Sequence, residues 1–176
     1  MSSFIIFRDV KPSLYDLEFE PDLKNFTFKG RGTISITVIR PTRRIELNTL
    51  ELKILKATVS VASGASQAAD VSDDKEKERI QLLFNEPLKE GVYRLNLEFE
   101  GILNDKLRGF YRSSYKDEKG ETRWLATTQM EPADARRMFP CFDEPDRKAQ
   151  FKISVLVDPE MAAISNGKIL KETIDE

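Results

Sequence analysis

Apolar and polar residues alternate with a period of two over most of this chain. Between residues 26 and 38, Phe26, Phe28, Gly30, Gly32, Ile34, Ile36 and Val38 share one parity, while Lys29, Arg31, Thr33, Ser35 and Thr37 share the other. Successive side chains of an extended backbone point to opposite faces, so this pattern predicts a half-buried strand. Gly30 or Gly32 marks a bulge or bend within it. Tyr15, Leu17 and Phe19 alternate with Asp16 and Glu18 before the Pro21-Asp22 break, which predicts a first strand and a hairpin into the second. Runs at 45–47, 52–61, 80–84 and 93–99 read as further strands bounded by turn residues. Asp117-Glu118-Lys119-Gly120 reads as a hairpin tip, and Phe151, Ile153, Val155 and Val157 as a last alternating strand. Segment 63–78, SGASQAADVSDDKEKE, is small, polar and charged; it predicts a solvated loop within a hairpin rather than an acidic recognition element. The expected fold is all-β and predominantly antiparallel, a sandwich or a curved, saddle-like sheet.

One segment breaks the rhythm. Residues 127–145, TTQMEPADARRMFPCFDEP, hold three prolines, two adjacent arginines, four carboxylates and the chain's single cysteine. Trp124 to Thr128 reads as a strand. Pro132 suits the first turn of a helix, Ala133 to Met138 contains good helix formers, and Pro140 ends it, so one short helix is expected near 132–138. Arg136 and Arg137 lie close in sequence to Glu131, Asp134, Asp143 and Glu144, which makes a local network of charge-assisted hydrogen bonds available. On residues alone, such a network serves either to pin an irregular loop or to build a site.

Composition narrows the chemistry. With 176 residues the chain predicts a single domain. Apolar residues make up 40% and charged residues 33%, with a net charge of -2; neither disorder nor a nucleic-acid binder fits those values. No 18-residue apolar stretch or N-terminal signal pattern is present, so a cytoplasmic protein with no membrane association is expected. The lone Cys141 forms no intrachain disulfide and is expected as a small buried apolar residue, not a reactive thiol. The chain has no histidine. That removes the usual general base of nucleophilic triads and the commonest zinc ligand, and no carboxylate or cysteine cluster replaces it, so no metal site is expected within the chain.

The string Thr128-Gln129-Met130-Glu131, followed by Ala135-Arg136-Arg137-Met138-Phe139-Pro140-Cys141-Phe142-Asp143-Glu144-Pro145, resembles the signature of the N-terminal β-domain in the aminopeptidase N family of zinc metallopeptidases. Lys148-Ala149-Gln150-Phe151, Ala163-Ile164-Ser165-Asn166-Gly167, Pro12-Ser13-Leu14-Tyr15-Asp16-Leu17 and Phe28-Lys29-Gly30 also fit that family, so the resemblance covers nearly the whole chain. It implies that Glu131 binds the free α-amino group of a substrate peptide and that Gln129 lines the pocket for the first side chain. Asp134, Arg136, Arg137, Asp143 and Glu144 are then scaffold, holding the loop so that Glu131 points into the cleft. The family's HExxH helix, GxMEN loop and catalytic tyrosine have no counterpart here. The resemblance therefore implies a chain that is not catalytic alone, whose partners are a zinc-bearing catalytic domain, on the same or a separate polypeptide, and a peptide with a free N-terminus. The chain ends at Lys171-Glu172-Thr173-Ile174-Asp175-Glu176, before the last strands expected of such a domain, and so reads as truncated at its C-terminal end. The competing expectation is a free-standing β-sandwich interaction module with no peptidase role, which keeps the loop only for stability.

Overall fold

A computed structural model describes residues 8–62 and 64–174. Ser63, within the expected loop, and the last two residues of the chain end lie outside the described residues. Among the described residues the backbone follows the period-two pattern into ten strands, eight of them in one sheet of order β10-β1-β2-β7-β4-β5-β6-β3. The long strands β1 (Val10–Asp22), β2 (Thr27–Val38) and β7 (Gly91–Ile102) pair antiparallel along most of their length, with a bulge in β1 between Pro12 and Leu14. Next come β4 (Leu52–Ser60), β5 (Ser66–Asp74), β6 (Arg79–Leu88) and β3 (Thr42–Asn48). Residues 66–68 of β5 pair with β4, whereas residues 69–74 pair with β6. That change of partner turns the sheet back on itself, and the whole curls into half a barrel.

The inward face carries the core. Tyr15, Leu17, Phe19, Phe28, Ile34, Ile36, Leu95, Leu97 and Phe99 from the long strands meet Ile45, Leu47, Ile80, Leu82 and Phe84 from the curled end, all buried. Burial of this kind contributes about 25 cal/mol per Å² of apolar surface removed from water. The curl brings aromatic rings against backbone: Gly30 faces Phe99 across the β2–β7 ladder, and a Cβ at Gly30 would sit inside the Phe99 ring's contact distance. Gly30→Ala is therefore expected to destabilise the fold by about 1–3 kcal/mol through overpacking. Urea unfolding checks this, and an unchanged midpoint would show that the ring moves aside freely.

The all-β, mainly antiparallel expectation matches the structure, and the β1–β10 pair alone is parallel among the named strand pairings. Three details differ. First, segment 63–78 contains strand β5 within the expected loop. Its residues SQAADVSDD are exposed or half-buried, so main-chain pairing on both sides holds the strand without an apolar face that a pattern could reveal. Second, the short helix near 132–138 contracts to a 3-10 turn at Ala135–Arg137. Third, β10 (Gln150–Val155) lies on the sheet edge, where Phe151, Ile153 and Val155 remain 55%, 41% and 40% exposed. Among the described residues, no helix is long and apolar enough to cross a membrane.

A separate two-stranded ribbon, β8 (Gly109–Lys116) and β9 (Thr122–Gln129), turns at the expected 117–120 tip, where Asp117 accepts the Lys119 and Glu121 amides. One face packs on the sheet: Phe110 meets Phe28 edge-on at 5.1 Å, Trp124 meets Phe26 at 4.9 Å, and the Arg112 guanidinium lies 4.5 Å over Phe26. The end of β9 delivers the chain into the segment that broke the sequence pattern.

Candidate functional site

Segment 130–147 spans the open side of the half-barrel. Met138, Phe139, Cys141 and Phe142 are buried in the core. Adjacent residues reach β3, at one end of the curled sheet, and β1, next to the other end. Asn48, at the end of β3, donates to the Cys141 carbonyl at 2.7 Å and accepts the Cys141 amide at 3.1 Å. The Phe142 amide donates to the Tyr15 hydroxyl of β1 at 3.1 Å, and Asn48 Oδ1 accepts the Asp143 amide at 3.3 Å. Burial pushes the Tyr15 phenol well above its ordinary range, so it stays protonated at this junction.

The two arginines diverge. Arg136, with 15% of its side chain exposed, pairs with Asp143 at 2.7 Å and with Glu78 of the β5–β6 turn at 2.9 Å. Burial on its own would lower the Arg136 pKa, but these two carboxylates more than reverse that. Arg137 runs the other way, to Asp134 at 2.8 Å and to Glu51 of the turn after β3 at 2.6 Å. Burial would raise the Glu51 carboxyl, but Lys106 and Arg137 outweigh it and hold it below the ordinary 4.5. With a depressed folded-state value, this contact stabilises the fold above the ordinary carboxylate pKa and is lost as pH falls through the lower one. Successive turns complete the bracing: the Asp134 amide donates to Met130 O at 2.8 Å, and the Arg137 amide to Asp134 O at 3.1 Å.

At the entrance to this braced turn sit Gln129 and Glu131. Gln129 is the last residue of β9, paired with Gly109 across the ribbon, and is exposed. Glu131 is exposed at the first position of the turn. Among the described residues its carboxylate has no hydrogen-bond or ion-pair partner, in contrast with Asp134, Asp143, Glu51 and Glu78 around it. The structure therefore gathers Asp134, Arg136, Arg137 and Asp143 into two clusters, Arg136 with Asp143 and Arg137 with Asp134, and leaves Glu131 outside both. Glu144 lies half-buried beside them, where its charge acts on Cys141 and Tyr15. Sequence reasoning missed Glu51 and Glu78. Both are distant in sequence and sit in turns at positive φ, 60° and 53°, which no local motif marks.

Cys141 is buried, and burial followed by the negative charge of Asp143 raises its thiol well above its usual value. Native protein at pH 8 is expected to resist Ellman's reagent and to react with one equivalent only in denaturant; rapid native labelling would contradict the buried placement. Elsewhere, a groove of about 390 Å³ opens on the polar face of the sheet, turned away from the core. Its charges are internally matched, Lys152 with Asp16, Arg31 with Glu18 and Lys56 with Glu98, so its lining carries no unpaired charge. Among the described residues, no three His, Cys, Asp or Glu side chains come together to hold a metal.

Residues 11–176 match the family described as Peptidase M1 N-terminal domain. The chain is similar to Aminopeptidase 2 of Candida albicans, 44% identical over 167 residues, covering 94% of this chain and 17% of that protein. It is 45% identical over 168 residues to Aminopeptidase M1 of Arabidopsis thaliana, covering 93% of this chain and 19% of the relative. Aminopeptidase M1-A of Oryza sativa subsp. japonica gives 44% over 168 residues, 93% and 19%. The chain thus spans about a fifth of the length of these relatives.

Proposed function

Because this chain belongs to the Peptidase M1 N-terminal domain family, we propose that it is the part of a zinc aminopeptidase that holds the free N-terminus of the substrate peptide. Glu131 is the amine anchor. Gln129, the last residue of β9 and two residues before Glu131, borders the first side-chain pocket. Asp134, Arg136, Arg137, Asp143 and Glu144 are the scaffold that fixes the turn. One observation carries this reading: beside paired carboxylates, the Glu131 carboxylate stands without a partner among the described residues, on a turn whose neighbours are braced to the β5–β6 turn and the β3–β4 connection.

The chemistry follows from charge. An ammonium group meeting a carboxylate in a cleft closed by a second domain forms a charge-assisted hydrogen bond worth about 1.5–3 kcal/mol. An acylated N-terminus has no such charge, so the anchor selects uncapped peptides and sets the scissile bond one residue from the end. The chain lacks histidine, the commonest zinc ligand, and on this reading the zinc and its catalytic chemistry belong to the partner domain. A polypeptide carrying this chain beside that domain, assayed on free-amine and N-acetylated substrates with and without Glu131→Gln, tests the reading. Equal loss on both substrates would remove the amine role and leave an interaction module.

A further inference from the structure

The scaffold residues named above all lie within the 127–145 segment. The part of the fold that holds that segment at the correct angle lies outside it. Three contacts converge on Arg137, whose side chain is only 12% exposed. Its Nε donates to Asp134 Oδ1 at 2.8 Å, inside the turn that begins at Glu131. Its Nη1 pairs with Glu51 Oε2 at 2.6 Å, outside the segment. Its Cβ packs on Gly109 so closely that a Cβ there would lie 2.5 Å away, with the Asp134 carbonyl at 3.1 Å. Gly109 stands at φ +65° and is the ladder partner of Gln129. Arg137 thus touches both the residue facing Gln129 and the turn containing Glu131.

Glu51 grips this hub from a turn that is itself gripped. The Leu50 amide donates to the Arg136 carbonyl at 2.9 Å, and the Thr49 amide donates to the Glu78 carbonyl at 2.9 Å. Main chain at Leu50 and side chain at Glu51 therefore hold two successive arginines, while Lys106 approaches the other side of Glu51 at 3.2 Å. We propose that Glu51 is a positioning residue for the amine anchor: through Arg137 and Asp134 it fixes the angle between Gln129 and Glu131. The proposal rests on the amine-binding reading for its functional consequence, but not for its mechanical one.

Amide hydrogen exchange on the 176-residue chain reads the mechanical part. In Glu51→Ala, the amides of Asp134, Arg137 and Met138 are expected to exchange roughly tenfold faster, the scale of one lost charge-assisted contact. The core amides of β2 and β7 keep their rates. Glu51→Gln, which retains an acceptor for Arg137, restores part of the protection. Lys53→Ala, which removes an exposed ion pair with Glu100 elsewhere on β4, leaves the turn unchanged. Unchanged exchange at 134–138, or equal acceleration throughout the core, overturns the proposal. In the complete enzyme, Glu51→Ala is expected to raise KM for free-amine substrates about fivefold with little change in kcat, and to spare N-acetylated substrates. A loss in kcat alone, or an equal loss on both substrates, also overturns it. If Glu131→Gln leaves free-amine selectivity intact, the amine reading fails by itself, and the exchange comparison still decides what Glu51 holds.

Discussion

In an enzyme that carries this chain as its N-terminal domain, Glu131→Ala is expected to lower kcat/KM for free-amine substrates by roughly 30- to 150-fold. The substrate ammonium would still be desolvated on entering the cleft but would meet no opposite charge, a loss of about 2–3 kcal/mol. Stability is expected to change little, because the Glu131 side chain is exposed and has no partner among the described residues to lose. N-acetylated substrates, already poor, are expected to lose almost nothing more. Steady-state kinetics on the two substrate types, with a melting curve for each protein, give the comparison. A variant that melts lower and loses both activities equally would show Glu131 to be structural.

Arg136→Ala is expected to act in the opposite way. The guanidinium joins Asp143, whose side chain is 18% exposed, to Glu78 in a hairpin distant in sequence. Truncation leaves the Asp143 carboxylate partly buried without its cation, and it removes a tie between the segment and the curled end of the sheet. The expected cost is about 2–3 kcal/mol. For a domain of this size that corresponds to a fall in Tm of roughly 4–12 °C. Arg136→Lys is expected to recover less than half, because one ammonium cannot reproduce a fork that serves two carboxylates. In the complete enzyme, free-amine and N-acetylated substrates would suffer alike. An Arg136→Ala protein that melts like the parent would show the pair to be a surface contact of little weight.

Long alternation made β1, β2 and β7 legible in the sequence, because their inward residues are mostly large and apolar and their outward residues polar or charged. β5 escaped notice for the converse reason: it is held by main-chain pairing on both sides, and its small polar side chains leave no periodic trace. The helix expected near 132–138 rests on local propensity alone, which is a weak prior that tertiary context overrides, and only the 3-10 turn at Ala135–Arg137 forms. At the candidate site, local sequence supplied Asp134, Arg136, Arg137 and Asp143, since their contacts with one another span seven residues or fewer. Glu78 lies 58 residues from Arg136 and could come only from the folded chain. Glu51 is more remote still from Arg137, and its positive φ has no glycine to advertise it.

The junction at Cys141 and Phe142 also sets an order of events in biosynthesis. The Phe142 to Tyr15 bond closes a span of 127 residues, and the Asp143 to Asn48 bond one of 95. Loop-closure entropy grows only with the logarithm of length, so the second closure adds little once the first has formed. Both await residues translated after Glu131, however. A nascent chain emerges from its N-terminus, so the ribosome exposes the Glu131 carboxylate before it releases the segment that locks the turn. The turn that carries Glu131 acquires its bracing only when β1 and β3 have been tied together through Phe142 and Asp143, and a chain ending before residue 143 would carry that carboxylate on an untethered turn.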